Sequence, residues 1–380
     1  MNKRVAIIDP IGAHGSSHHF YLFGQSQALI KNGCNVSLYT NTETTDPKIN
    51  GLDFFTYYKE IFSSKFKVIN GLKWIIGSLY SILHARFSRI CIFHFHIFYT
   101  NFLVLFNLLL VKLCLGKVVL TIHDVDSFAK KENKQISNLI YMIADLVLTH
   151  NQFSKEHILK TYPYLKGKIF IIPHGNYTPF INVRNDKIAS RIYLGLDQRK
   201  KVILFFGMIK KVKGLDVLLE SFKKVIDKHP DIILLIAGRP WKDDFCNYQQ
   251  IIEKNNLENN IVLHTRYIPQ NDVEHYYCAS DLVVLPYKKI YQSGVLMMAL
   301  SYERPVLVSD LCPLKEVIND NQNGFLFKSE NSNDLAKKLN IILSSSEKLE
   351  KVQKNGNILI NEKFGWDAIG RLTLNAYQNL

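Results

Sequence analysis

Short apolar runs alternate with longer stretches in which apolar residues recur every three or four positions. "RVAIID" (4–9) is the first run. "HHFYLFGQSQALIKNG" (18–33) follows with helical spacing and Gly33 placed as a C-terminal cap. Further runs are "NVSLYT" (35–40), "RICIFHFH" (89–96), "KVVLTIH" (117–123), "LVLTH" (146–150) and "KIFIIPHG" (168–175). Strands that alternate with helices predict a parallel, doubly wound sheet with crossover helices.

The alternation pauses over 177–199, a polar stretch with Pro179, Asn182, Asn185 and Asp186, which reads as a linker. It then resumes with "KVILFFG" (201–207), the helical "LDVLLESFKKVIDKH" (215–229), "DIILLIAG" (231–238), "NIVLHT" (260–265), "LVVLPY" (282–287), "RPVLVS" (304–309) and "GFLF" (324–327). The expected architecture is α/β: two Rossmann-like domains facing a cleft, with ligands at the carboxyl ends of the strands. The expected boundaries are 1–176 plus 364–380 for the first domain and 200–363 for the second.

Composition sharpens this picture only in places. The 380 residues suit two domains, and 47% apolar content supports two cores. There are 47 Lys and Arg against 33 Asp and Glu, a net +14 that favours an anionic partner. No helix-turn-helix, RNP-type strand or zinc-finger spacing accompanies that charge, so nucleic acid is not the expected partner. The six cysteines form no C-x-x-C pair and read as buried free thiols of a reducing cytoplasm. The opening residues do not read as a signal peptide. "IFYTNFLVLFNLLLVKLCLG" (97–116) approaches membrane-spanning length, but Asn101, Asn107 and Lys112 make it a half-buried helix. In "FSSKFKVINGLKWIIGSLYSILHARFSR" (62–89), Lys65, Lys67, Lys73, Arg86 and Arg89 interleave with apolar residues. This fits either a helix covering the first sheet or one lying on an anionic membrane surface.

The chemistry concentrates in "FFGMIKKVKGLDVLL" (205–219), a strand-to-helix turn carrying lysines. A helix that starts there aims free N–H groups and its positive dipole end at the turn. Gly207 and Gly214 let the backbone fold tightly, and Lys210 and Lys213 add full charge. The combination suits a diphosphate, although it is not a Walker loop.

This segment resembles the G-x-[IL]-x-x-x-K-G stretch of glycosyltransferase family 4, the retaining group 1 enzymes of GT-B fold. Five other stretches resemble the family in order: "VVLTIHD" (118–124), "IADLVLTHNQFSKEHI" (143–158), "IIPHGN" (171–176), "ASDLVVLPY" (279–287) and "RPVLVSDLCPLKEVINDNQNGFLF" (304–327). "FGWDAIGRLTLNAY" (364–377) resembles the family's terminal helix, which returns to the first domain.

The resemblance implies transfer of a sugar from a nucleotide-diphosphate sugar, with retention of configuration and without an essential metal or cofactor. Lys210 and Lys213 carry over as the phosphate clamp, and Met208 stands where the family often has arginine. His123 matches the histidine at the donor sugar. Gly12, His14, Gly15 and His96 fall in or beside the family's first loop and its cleft edge, with His18, His19 and His94. His94 and His96 share a strand face and with a third ligand could hold zinc, but the expected role is cleft lining, with no metal site. Asp124 and Asp126 imitate a D-x-D metal motif of a different glycosyltransferase fold.

One departure stands out. Alignment on Pro305 puts Ile290 and Met298 where the family has the two glutamates of its E-x7-E motif. Gln292, Ser293, Gly294 and Val295 remain as donor contacts at a helix start, with Glu316 as a further sugar contact. The expected protein is a cytoplasmic glycosyltransferase peripheral to the inner membrane face. Its expected acceptor is a lipid-linked saccharide or surface polysaccharide. The alternatives are a non-catalytic sugar-binding subunit and a nucleotide-sugar epimerase of the same fold.

Overall fold

A computed structural model describes residues 3–14, 17–125, 133–181, 186–241 and 244–380. The chain divides into two compact units, Met1–Gly175 with Phe364–Leu380, and Asn176–Lys363.

The first unit is a seven-stranded parallel sheet in the order β3-β2-β1-β4-β5-β6-β7. Its strands are β1 (Arg4–Ile8), β2 (Asn35–Asn41), β3 (Leu52–Tyr58), β4 (Ile92–Ile97), β5 (Lys117–Ile122), β6 (Leu146–Thr149) and β7 (Ile169–Ile171). All six residues of β4 are buried, as expected of a strand covered on both faces. The expected helix after β1 spans His18–Lys31. The terminal helix Trp366–Tyr377 packs along it. A Cβ on Gly24 or Gly175 would run into the Trp366 indole, so both positions require glycine.

The second unit is a six-stranded parallel sheet in the order β10-β9-β8-β11-β12-β13. Its strands are β8 (Lys201–Phe206), β9 (Ile232–Ala237), β10 (Ile261–His264), β11 (Leu282–Leu285), β12 (Val306–Ser309) and β13 (Phe325–Phe327). Helix Leu215–Ile226 fills its core with Leu215, Leu218, Leu219, Phe222 and Val225. In each sheet the strand order reverses once, at β1/β4 and at β8/β11, and such a switch point opens a crevice at the strands' carboxyl ends.

Two expectations need correction, and a third is met. The stretch 177–199 is more than a linker: it carries helix Lys187–Tyr193, in which the buried Arg191 reaches the Asp281 carboxylate at 2.8 Å. The six cysteines are free, but only Cys34 and Cys278 are buried, while Cys91, Cys246 and Cys312 are exposed. The apolar stretch 97–116 forms the short helix Phe102–Leu113, and among the described residues no helix is long and apolar enough to cross a membrane.

Helix Lys67–Phe87 is amphipathic in an inverted sense. It buries Gly77, Ser78, Ser81, Ile82 and Ala85, and Gly77 lies so close to Tyr58 that a Cβ would collide with the ring. Its opposite face presents Leu72, Ile76, Tyr80, Leu83 and Phe87 to solvent. The spacing of four, four, three and four residues is one continuous stripe.

Candidate active site

In the second unit, three strand ends meet at the β8/β11 switch point. After β8 the backbone turns at Gly207 (φ 105°), runs through Met208 to Lys210, and forms a single 3-10 turn over Lys211–Lys213. Gly214 closes that turn in the left-handed region (φ 68°) and starts the next helix. A Cβ on Gly214 would strike the Pro286 carbonyl, so this position requires glycine twice over. The loop is therefore pressed against the end of β11, where Lys288 N–H donates to the Val212 carbonyl at 2.9 Å.

Two of the turn's three lysines, Lys210 and Lys213, rest on aromatic faces. Lys210 Nζ lies 4.3 Å from the Trp241 ring centroid, beyond the end of β9. Lys213 Nζ lies 3.8 Å from the Tyr287 centroid, beyond the end of β11. A ring face attracts an ammonium without neutralising it and helps fix where the Nζ lies. Lys288, just past β11, pairs with Asp216 at 2.5 Å.

Beside the turn starts helix Gly294–Ser301, capped by Ser293, whose Oγ accepts from Leu296 N–H at 3.1 Å. Val295 borders the turn: its Cγ2 would lie 3.3 Å from a Cβ on Gly207. Gln292 is half-buried, and its Nε2 has no hydrogen-bond partner among the described residues. Ile290 and Met298 are buried and apolar, so the absent glutamates are replaced by packing. Glu316 is exposed at the end of the short helix Cys312–Lys315, and its backbone carbonyl accepts from Lys363 Nζ at 3.5 Å. The side chains gathered here can hold an anion at a helix start, with two ammonium groups beside it.

In the first unit, histidines collect at the β1/β4 switch point. His96 Nδ1 and His123 Nε2 are 3.0 Å apart, and His123 Nδ1 and His150 Nε2 are 3.1 Å apart. His96 Nε2 donates to Gln25 Oε1 at 2.8 Å, and His150 Nδ1 donates to the Ile172 carbonyl at 3.0 Å. His18 bonds the buried Asp9 carboxylate at 2.7 Å and stands edge-on to His123, with ring centroids 4.9 Å apart. Asp9 also accepts from Ile11 and Gly12 N–H, each at 2.8 Å, which fixes the loop after β1. Gly12 sits at φ 50°, with Thr40 and Thr44 where a Cβ would go.

Burial and the neighbouring histidines hold His96 and His123 well below the ordinary imidazole pKa. Burial does the same to His150, brought down to about 4, and to His94 and His174, each brought down to about 3. All five are neutral at pH 7.

Of the histidines singled out in the sequence, the structure brings His96 and His123 together and places two others elsewhere. His94 lines no opening: it is fully buried between Tyr377 Oη (2.6 Å) and Thr121 Oγ1 (2.7 Å). His14 lies apart, stacked on Phe62 and 2.8 Å from Glu43 on the surface. Gly15 and Asp126 lie outside the described residues. Asp9, Gln25, His150 and His174 were missed as site residues. The signal for the last two was available, since "LVLTH" and "IIPHG" both end a strand in histidine.

Comparison with known proteins converges on one group. Residues 20–176 match the family "Glycosyltransferase Family 4", and residues 186–358 match "Glycosyl transferases group 1". The chain is 28% identical over 278 residues to spore coat protein SA of Bacillus subtilis, covering 68% of this chain and 72% of that one. Its fold is similar to sucrose-phosphate synthase from Thermosynechococcus elongatus (TM-score 0.76, 17% identity, 99% and 98% of the two chains). It is also similar to HepE of Anabaena solved with UDP and glucose (TM-score 0.75, 15% identity, 100% of both chains).

Proposed function

Because the chain belongs to the group 1, family 4 glycosyltransferases of GT-B fold, we propose that it transfers a sugar, with retention, from a nucleotide-diphosphate sugar to a lipid-linked saccharide. The observation that carries the donor half is the turn from Gly207 to Gly214. Two ammonium groups on aromatic faces adjoin a Ser293-capped helix start, all at one switch point. Cleaving the donor places growing negative charge on the diphosphate. Charges and N–H groups already fixed there stabilise the transition state more than the ground state. Lys213 and Lys210 take the phosphate role, and Gln292, Ser293, Gly294 and Val295 take the donor contacts. The relative solved with UDP and glucose supports a uridine nucleotide as the first donor to try.

The lipid half rests on the exposed stripe of helix Lys67–Phe87. Seven large apolar side chains, Val68 and Ile69 besides the five of the stripe, face solvent on a helix that also carries Lys67, Lys73 and Arg86. Adjacent helix Phe102–Leu113 adds Phe102, Leu109 and Leu113. Such a face suits insertion into the headgroup layer of an anionic bilayer, beside a lipid-linked acceptor.

One observation favours a second reading. Ile290 and Met298, buried where the family has its glutamates, fit a sugar-binding subunit without turnover. Thermal-shift screening of nucleotide sugars, followed by transfer assays in extracted membrane lipid, separates the two. Transfer supports the first reading. Melting shifts with no transfer and no donor hydrolysis support the second, and no shift with any donor overturns both.

A further inference from the structure

The first unit holds a conflict of protons. The Ile172 carbonyl can only accept, so neutral His150 carries its proton on Nδ1 and turns a lone pair toward His123. His123 then donates from Nδ1 and keeps a lone pair on Nε2. From the other side, Gln25 Oε1 accepts from His96 Nε2, which leaves His96 a lone pair on Nδ1. These two lone pairs face each other at 3.0 Å. Acceptors at that distance repel unless a cation lies between or beside them. His18 supplies a third nitrogen: one ring nitrogen from each of His18, His96 and His123 lies within 4.8 Å of the others, and all three residues are buried.

We propose that His18, His96 and His123 bind a transition-metal dication of the Zn2+ class. Neutral imidazoles are its commonest nitrogen ligands. Zinc–nitrogen bonds of about 2.0–2.1 Å place two tetrahedral ligand atoms about 3.4 Å apart, so the His96–His123 pair at 3.0 Å opens by a few tenths of an ångström and nitrogens as far apart as 4.8 Å close by more than an ångström when the ion binds. Each ring is also held from behind: His18 by the Asp9 carboxylate, His96 by the Gln25 amide and His123 by His150. Outer partners of this kind fix the tautomer and aim of metal-ligating histidines. Asp9, fully buried, contributes compensating negative charge. Three ligands leave a fourth position open. The site is distinct from the pair His94 and His96, because His94 spends both nitrogens on Tyr377 and Thr121. It goes beyond the transferase reading and does not depend on it.

The test uses the full chain, stripped with a chelator and titrated with ZnCl2 against a chromogenic chelator. The expected result is one equivalent per chain at micromolar zinc or below. His18→Ala and His96→Gln are expected to weaken binding about 100-fold, at the upper end of what losing even an outer partner costs. His229→Gln, in the second unit, keeps it. Should the ligand variants fail to fold, Co2+ added to the unaltered protein decides the matter. Intense visible bands of low-coordinate cobalt support the trio, and the weak absorption of six-coordinate cobalt overturns it. No zinc uptake, or uptake that survives both folded ligand variants, also overturns it. In that case the Gln25 amide, whose Nε2 has no partner among the described residues, is turned over. Every proton then points one way from Gln25 to Ile172, and no lone pairs meet.

Discussion

Lys213 Nζ sits 3.8 Å above the ring of Tyr287, a side chain buried to 1% exposure at the end of β11. The ammonium is thus placed by a strand other than the one that precedes it. A lysine held this way needs little reorganisation when charge appears beside it, which is the condition for large electrostatic stabilisation. Lys213→Ala should therefore lower kcat about 100-fold or more, with a smaller change in KM. Steady-state kinetics with the donor found by thermal shift checks this. An unchanged kcat would move the diphosphate elsewhere.

Gly214 should resist substitution for a different reason. Its backbone lies in the left-handed region and its missing side chain leaves room for the Pro286 carbonyl. Gly214→Ala combines strain with a clash against backbone, and should cost about 1–3 kcal/mol or more. Urea unfolding of the variant measures it. Gly71, with open space around its Cα, is the matched control and should change little apart from its helix propensity.

The outward stripe of helix Lys67–Phe87 predicts vesicle binding. Leu72 and Ile76 are 55% and 51% exposed. Leu72→Glu with Ile76→Glu should abolish flotation with anionic vesicles and leave the melting temperature nearly unchanged. Binding of the unaltered protein should fall as salt rises, because part of it is screened attraction. Equal binding to neutral and anionic vesicles would remove the basic residues from the account.

Acid should destabilise the first unit. His174 is brought down to about 3 by burial and by the neighbouring His150. In the unfolded chain it titrates near 6.5. Between those limits the unfolded state takes a proton that the folded state refuses, so stability is full above pH 6.5 and falls as pH drops toward 3. The slope from this residue is about 1.4 kcal/mol per pH unit. His174→Gln should flatten it, as read from urea midpoints at pH 7, 6 and 5.

Much of the architecture was legible because parallel strands covered on both faces must be continuous apolar runs, and twelve of them were read. β3 escaped for the same reason reversed. It is an edge strand, "LDFFTYY", with only Tyr58 buried, so neither alternation nor an apolar block marks it. Helix Lys187–Tyr193 was hidden by polar residues: it buries Ser190 and Arg191, whose partner Asp281 is ninety positions away. The lysine turn could be read because charge and glycine sit in one segment. Its aromatic supports could not, since Trp241 and Tyr287 follow other strands. The histidine cluster was half visible. His96, His123, His150 and His174 end or follow a strand and His18 opens a helix, but which nitrogen meets which is decided by tertiary packing and by Gln25 and Asp9, polar residues without a pattern of their own.

Helix Trp366–Tyr377 ties the last residues of the chain to the first: Trp366 covers Gly24 and Gly175, and Tyr377 bonds His94 in the middle of the sheet. During synthesis, β1 through β7 leave the ribosome almost two hundred residues before their final layer exists. The nascent amino-terminal half must wait with an open flank while the other half folds to completion. A gene fragment ending at Gly175 should need that helix supplied in trans, or grafted directly, to become a stable product.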